Sequence, residues 1–194
     1  HQRAGRAGRL QAGHCIRLWD ESKQRSLKEY QGEEILSADL AGLVLDLLVW
    51  GLKDYAEINW LTAPPLAHFE SAKQLLIALG CVTDTGQITP LGSRASKLGL
   101  HPRLAAMLLQ AQSPFEKAMA CELAALLSEP DIFYSRRGVD IIERLMAIQD
   151  YKANKKAALQ AYPLKAATVE QVLGASRALK SRLNLDKKIS LYSL

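Results

Sequence analysis

Three prolines set the outline of this chain, because each follows a residue able to cap a helix: Thr89-Pro90, His101-Pro102 and Ser113-Pro114. Proline at the first helical position forfeits no hydrogen bond, since that N–H has no partner inside the helix, and its fixed φ already suits the turn. The three pairs predict three helix starts in close succession. The last is reinforced by Glu116, which completes a capping box with Ser113. A chain punctuated this way is built of short helices packed in a bundle.

Apolar spacing fills in the rest. Leu40, Leu43, Val44, Leu47 and Leu48 recur at helical intervals, with Ser37 as N-cap, Asp39 in the first turn and Gly51 as the stop, which predicts a helix from Ser37 to Trp50. After Pro64-Pro65 a second helix is expected from about Leu66 to Leu79, burying Leu66, Phe69, Leu76 and Leu79 and closed by Gly80. Cys81-Val82-Thr83 and Gln87-Ile88-Thr89 flank Asp84-Thr85-Gly86 and predict two three-residue strands in a small hairpin. Helix, helix, hairpin, helix resembles a winged-helix module. Further helices are expected from His101-Pro102 to Ala111, from Pro114 to about Leu127, and from Val139 to Asp150 with Val139, Ile142, Leu145 and Met146 on one face. A second capping box, Thr168 to Gln171, is expected to open a last long helix through Val172, Leu173 and Leu179. Near the start, His14 to Trp19 has the composition of a short strand.

With 194 residues and 48% apolar content the chain can bury one sizeable core or two small ones. No apolar stretch approaches the roughly 18 residues a bilayer span needs, and no signal-like segment opens the chain. Cys15, Cys81 and Cys121 are odd in number and far apart, which argues against a disulfide framework or a zinc site and fits a cytoplasmic setting. His68 lacks ligand-spaced neighbours, and His101 is read as a helix cap. Trp19, Trp50 and Trp60 are expected to pack in the core.

The net charge of +5 divides unevenly: +4 over residues 1–30, −5 over 31–80, −1 over 81–150 and +7 over 151–194. Basic ends are a footprint for phosphate, whether of a nucleotide or of a nucleic-acid backbone. The acidic middle argues against a winged helix that reads DNA. Its second helix offers His68, Glu70, Ser71, Lys73 and Gln74 but no arginine, and a phosphate backbone would be repelled there. In the basic tail, Lys152, Arg177, Lys180 and Lys187 could line a channel for RNA, although lysines on amphipathic helices also simply face water. Arg136 and Arg137 could contact phosphate or an internal carboxylate.

The segment best suited to chemistry is Gln2-Arg3-Ala4-Gly5-Arg6-Ala7-Gly8-Arg9. Glycines between arginines let the backbone approach a ligand, and guanidinium forks match phosphate oxygens. A basic RNA-binding arm is the other reading of such a segment.

The run QRAGRAGR, followed by CIRLW at 15–19, resembles motif VI of the DEAH/RHA group of superfamily 2 helicases, whose usual form is QRxGRAGR. ILSADLAGLVLDLLVWG (35–51), TDTGQITPLGSRASKLGLHPRLAAMLL (83–109) and SEPDIFYSRRG (128–138) resemble the winged-helix and ratchet regions that follow it, with details similar to the bacterial HrpB branch. The resemblance implies a mainly α chain in three parts. These are the end of a second RecA-like domain (1–20), a winged helix with a small hairpin (21–99) and a helical ratchet-like domain (100–194), the last truncated. It implies that Arg6 and Arg9 act as arginine fingers and that Gln2 lies near the γ-phosphate and attacking water, all three contacting nucleotide. It further implies ATP and Mg²⁺ in a full-length parent that moves along single-stranded RNA, with RecA-like domains of the same chain upstream. The sequence departs from the family in lacking a GxxxxGK[ST] phosphate loop and a DEAH quartet, so the chain alone is expected to bind no cofactor and hydrolyse no ATP. The alternative is a non-catalytic winged-helix and helical interaction module for nucleic acid or protein.

Overall fold

The computed structural model describes residues 4–27, 32–52, 54–134 and 138–185. They fall into two units, 1–37 and 38–194. In the first, α1 (Ala4–Ala7) and α2 (Glu21–Ser26) are short and bury no side chain. Asp20 caps α2 by accepting from the Lys23 N–H at 2.6 Å. Residues 14–19, expected as a strand, contain none. A strand exists only by pairing, and no described neighbour offers this segment a ladder.

The second unit is helical: α3 (Ala41–Val49), α4 (Leu66–Ala78), α5 (Pro90–Ser96), α6 (Pro102–Gln110), α7 (Pro114–Ser128), α8 (Ile141–Ala153), α9 (Lys155–Ala161) and α10 (Ala166–Arg182). All three cap-proline pairs start helices. Thr89 accepts from Gly92, His101 Nδ1 from Arg103, and Ser113 and Glu116 form the complete capping box. The first long helix begins later than Ser37 because Asp39, not Ser37, accepts the Ala41 N–H at 2.8 Å. It stops at Gly51 as expected, with the Leu52 N–H donating back to Leu47 O.

The hairpin shrinks to one antiparallel bridge, Val82 with Ile88, closed by Thr83 N–H to Gln87 O at 2.8 Å. The strands stay short because α4 runs directly into the turn through Gly80 at φ +72 and α5 starts at Pro90. Helix α5 also lies so close to the preceding chain that a Cβ at Gly92 would collide with the Cys81 carbonyl. Thr89 closes this corner, its hydroxyl donating to Gly80 O at 2.7 Å.

The core gathers Val44, Leu45, Phe69, Leu76, Ala95 and Leu108 around α3 to α6, and a second set where α7 meets α10. On α7 the buried residues include Ala118, Cys121, Ala124 and Ala125, and on α10 Val169, Val172, Ser176 and Leu179. Small side chains on α7 let the two helix axes approach closely. Residues 132–134 pair with 163–165 through a Phe133–Leu164 bridge, Tyr134 N–H to Pro163 O at 2.9 Å and Lys165 N–H to Ile132 O at 2.7 Å.

Further expectations are corrected. Leu66, expected on the buried stripe of α4, is 56% exposed. Helix α8 starts at Ile141 rather than Val139, buries Ala147, Ile148 and Tyr151 and leaves Ile142 and Met146 exposed, and Val139 ahead of it is exposed too. Arg144 reaching Asp131 and Tyr151 reaching Glu170 fix that rotation. Thr168 lies inside α10, which starts at Ala166 without a side-chain cap, so the second capping box does not form. Trp50 is 77% exposed at the end of α3, and Trp19 is exposed too; Trp60 is half-buried against Tyr55, with ring centroids 5.7 Å apart.

Candidate arginine motif and nucleic-acid interface

Arg6 lies on α1 and Arg9 just past it, both exposed, and neither has an ion-pair partner among the described residues. Gly5 and Gly8 do not adopt a left-handed conformation, and a Cβ at either would meet nothing within 4 Å. Both guanidinium groups are therefore open to an anion, which fits the charge of a phosphate. Among the described residues no group of three or more His, Cys, Asp or Glu side chains could hold a metal ion. Gln2 lies outside the described residues, as do Arg136, Arg137 and Lys187.

The remaining basic candidates belong to the second unit. Lys152, in the last turn of α8, donates to Glu122 Oε1 at 2.6 Å; Lys180, in the last turn of α10, donates to the same oxygen at 2.9 Å. Helix C-termini favour cations, so both ammonium groups sit where the backbone supports their charge. The structure thus brings Lys152 and Lys180 together. Arg177, one turn before Lys180, stays exposed, its Nε donating to Leu173 O at 3.2 Å.

Sequence reasoning missed Glu122. Its carboxylate is only 3% exposed, and Oε2 has no hydrogen-bond partner among the described residues. The signal was available: ACELAALL places one carboxylate among small apolar residues on a helix that must be buried. Sequence also missed the partner of Asp131, whose two oxygens accept Arg144 Nε at 3.2 Å and Nη2 at 2.6 Å. Hydrogen bonds from Arg144 hold the Asp131 carboxyl below the usual carboxylate range. Glu170 accepts Lys155 Nζ at 2.8 Å and Tyr151 Oη at 2.9 Å, and these bonds depress its carboxyl likewise.

His101 joins two helix starts. Its Nδ1 accepts the Arg103 N–H at 3.2 Å, so the assigned network leaves Nε2–H to donate to Asp39 Oδ2 at 3.1 Å. Burial raises the Cys81 and Cys121 thiols, while Cys15 is exposed. No helix among the described residues is long and apolar enough to cross a membrane.

Residues 74–100, from the end of α4 through α5, match the family described as helicase associated domain (HA2), winged-helix. Over 129 residues the chain is 41% identical to the ATP-dependent RNA helicase HrpB of Escherichia coli (strain K12), an alignment covering 66% of this chain and 16% of that protein. It is 36% identical over 137 residues to the ATP-dependent RNA helicase HrpA of the same organism, covering 67% of this chain and 10% of HrpA. The chain is homologous to the C-terminal region of DEAH/RHA RNA helicases and contains their HA2 winged helix.

Its fold resembles that of part of HrpB. Two crystal structures of Escherichia coli HrpB match it with TM-scores of 0.61 and 0.67 at 34% identity, covering 95% and 94% of this chain. The chain spans 20% of those HrpB chains.

Proposed function

We propose that this chain is the part of an ATP-dependent RNA helicase that begins at the last arginine motif of its motor and continues through a winged helix into a helical ratchet-like domain. Residues 1–20 would belong to the second RecA-like domain, 21–99 to the winged helix with its minimal hairpin, and 100–194 to the ratchet-like bundle. The observation that carries this reading is the 41% identity over 129 residues to an ATP-dependent RNA helicase. The guanidinium groups of Arg6 and Arg9, exposed and without an ion-pair partner among the described residues, agree with it.

ATP, held with Mg²⁺ by upstream RecA-like domains, would supply the phosphoryl group. Arg6 and Arg9 stabilise charge spreading over the equatorial oxygens, and Gln2 orients the water. Closure around the nucleotide is then passed to the helices, which follow single-stranded RNA along its backbone. Alone, the chain hydrolyses no ATP, because fingers act only on phosphates held opposite them. A cytoplasmic setting is part of the same reading.

The test is RNA-stimulated ATPase in a protein joining this chain to both RecA-like domains. Arg6→Ala and Arg9→Ala should each lower kcat by about 10³-fold or more. Unchanged rates would show that these arginines face no phosphate in the transition state.

A further inference from the structure

Glu122 is buried while the two lysines it holds are not. The carboxylate side chain is 3% exposed, whereas Lys152 and Lys180 keep 29% and 26% of their side-chain surface. The cluster carries one negative and two positive charges and presents only the positive ones outward. Both ammonium groups bond to one oxygen, so their nitrogens lie no further apart than the sum of 2.6 and 2.9 Å. Each ammonium has three donors and spends one on Glu122; no second hydrogen-bond or ion-pair partner is found for either among the described residues.

Folding stability alone does not account for such an arrangement. A buried ion triad is commonly matched or bettered by apolar residues of similar volume, because desolvating the charges offsets their attraction. Here the cost is raised further by Glu122 Oε2, buried without a partner. What the triad gives and an apolar cluster cannot is a pair of ammonium groups, from two different helices, fixed side by side at a surface. Two adjacent cations with unspent donors match the two non-bridging oxygens of a phosphodiester. Exposed Arg177 one turn along α10 extends the positive surface.

We propose that Lys152 and Lys180 form a clamp for one phosphodiester of an RNA backbone, and that Glu122 is the positioning residue that sets their spacing. This rests on the RNA-helicase reading above, and names a site within it.

The test measures binding of the 194-residue chain to single-stranded oligoribonucleotide across a salt series, alongside thermal unfolding. In the apolar variant E122M/K152M/K180M the helices keep their packing, so Tm should hold. RNA affinity should then fall about tenfold, the worth of a charge-assisted contact. The slope of log K against log salt should shrink by about 0.7, one single-strand phosphate. Lys97→Met, an exposed lysine elsewhere in the unit, should not reproduce the tenfold loss. Glu122→Gln distinguishes positioning from charge: it makes the chain more positive, so tighter binding would show that only charge counts and would overturn the role given to Glu122. Weaker binding would support it. A folded triple variant with wild-type affinity and slope would reduce the triad to a cross-link between helices. Absence of RNA binding by the wild-type chain would instead remove the reading on which the clamp rests.

Discussion

The two units handle charge in opposite ways. In residues 1–37 the ion pair found among the described residues joins Arg25 to Glu21, both exposed and one turn apart, while Arg6 and Arg9 have none. In residues 38–194, Glu122, Asp131 and Glu170 each hold a basic side chain brought from another helix or loop. Exposed i,i+4 pairs contribute little to stability, whereas removing one partner of a buried pair leaves an uncompensated charge. The difference separates two uses of arginine and lysine. Arg6 and Arg9 of the first unit have no ion-pair partner among the described residues, whereas Arg144, Lys152, Lys155 and Lys180 of the second are each anchored to a carboxylate of the fold.

The sharpest way to break this comparison is to truncate an apolar side chain in each unit. Leu76 is 0% exposed and Leu10 is 100% exposed. Leu76→Ala should cost about 2–5 kcal/mol in urea unfolding, and Leu10→Ala no more than about 0.5 kcal/mol. Equal losses would mean that the first unit has a core of its own. A charged pair of substitutions repeats the contrast on a smaller scale. Arg144 bonds both oxygens of Asp131 and the carbonyls of Asp140 and Gly138, and lies over the Phe133 ring at 5.2 Å. Arg144→Met should destabilise by about 1–3 kcal/mol, while Arg6→Met should stay within about 0.5 kcal/mol.

Acid should act on the second unit through the same carboxylates. Asp39 is held low chiefly by the Ala41 N–H, Asp131 by Arg144, and Glu170 by Lys155 and Tyr151. A carboxyl whose folded value lies below its unfolded one adds stability that is complete above the unfolded value and disappears as pH falls through the folded one. Stability measured by denaturant should therefore be level near neutrality and decline below about pH 4. Asp131→Asn should flatten part of that decline. A decline of unchanged steepness in that variant would show that Asp131 contributes none of it.

Much of this was legible in the sequence, and the misses share one physical origin. Cap and proline signals act within a few residues, so Thr89, His101 and Ser113 were read correctly as helix starts. The QRAGRAGR run was equally local and carried part of the resemblance, while the family match itself falls on residues 74–100. What local pattern does not carry is which face of a helix meets a neighbour. Ile142 and Met146 had the right spacing for burial, yet α8 turns Tyr151 and Arg144 toward distant partners instead. Lys152 and Lys180 looked like free cations because Glu122, at separations of 30 and 58 residues, could not be paired with them by spacing.

The smallest effect separates a cap from a motif that only looks like one. Ser113 and Thr168 each precede a Glu or Gln by three residues, and the sequence treats them alike. In the folded chain the Ser113 hydroxyl accepts the Glu116 N–H at 3.1 Å, and Glu116 Oε2 accepts the Ser113 N–H at 3.2 Å. Thr168 lies inside α10, already past its first residue, and caps nothing. Ser113→Ala should therefore cost about 1 kcal/mol. Thr168→Ala should be neutral or slightly stabilising, because alanine is the better residue inside a helix. Equal losses at the two sites would place the start of α10 at Thr168. Two sequence signals of the same form would then have the same structural meaning, and the distinction drawn here between local pattern and tertiary choice would not hold for α10.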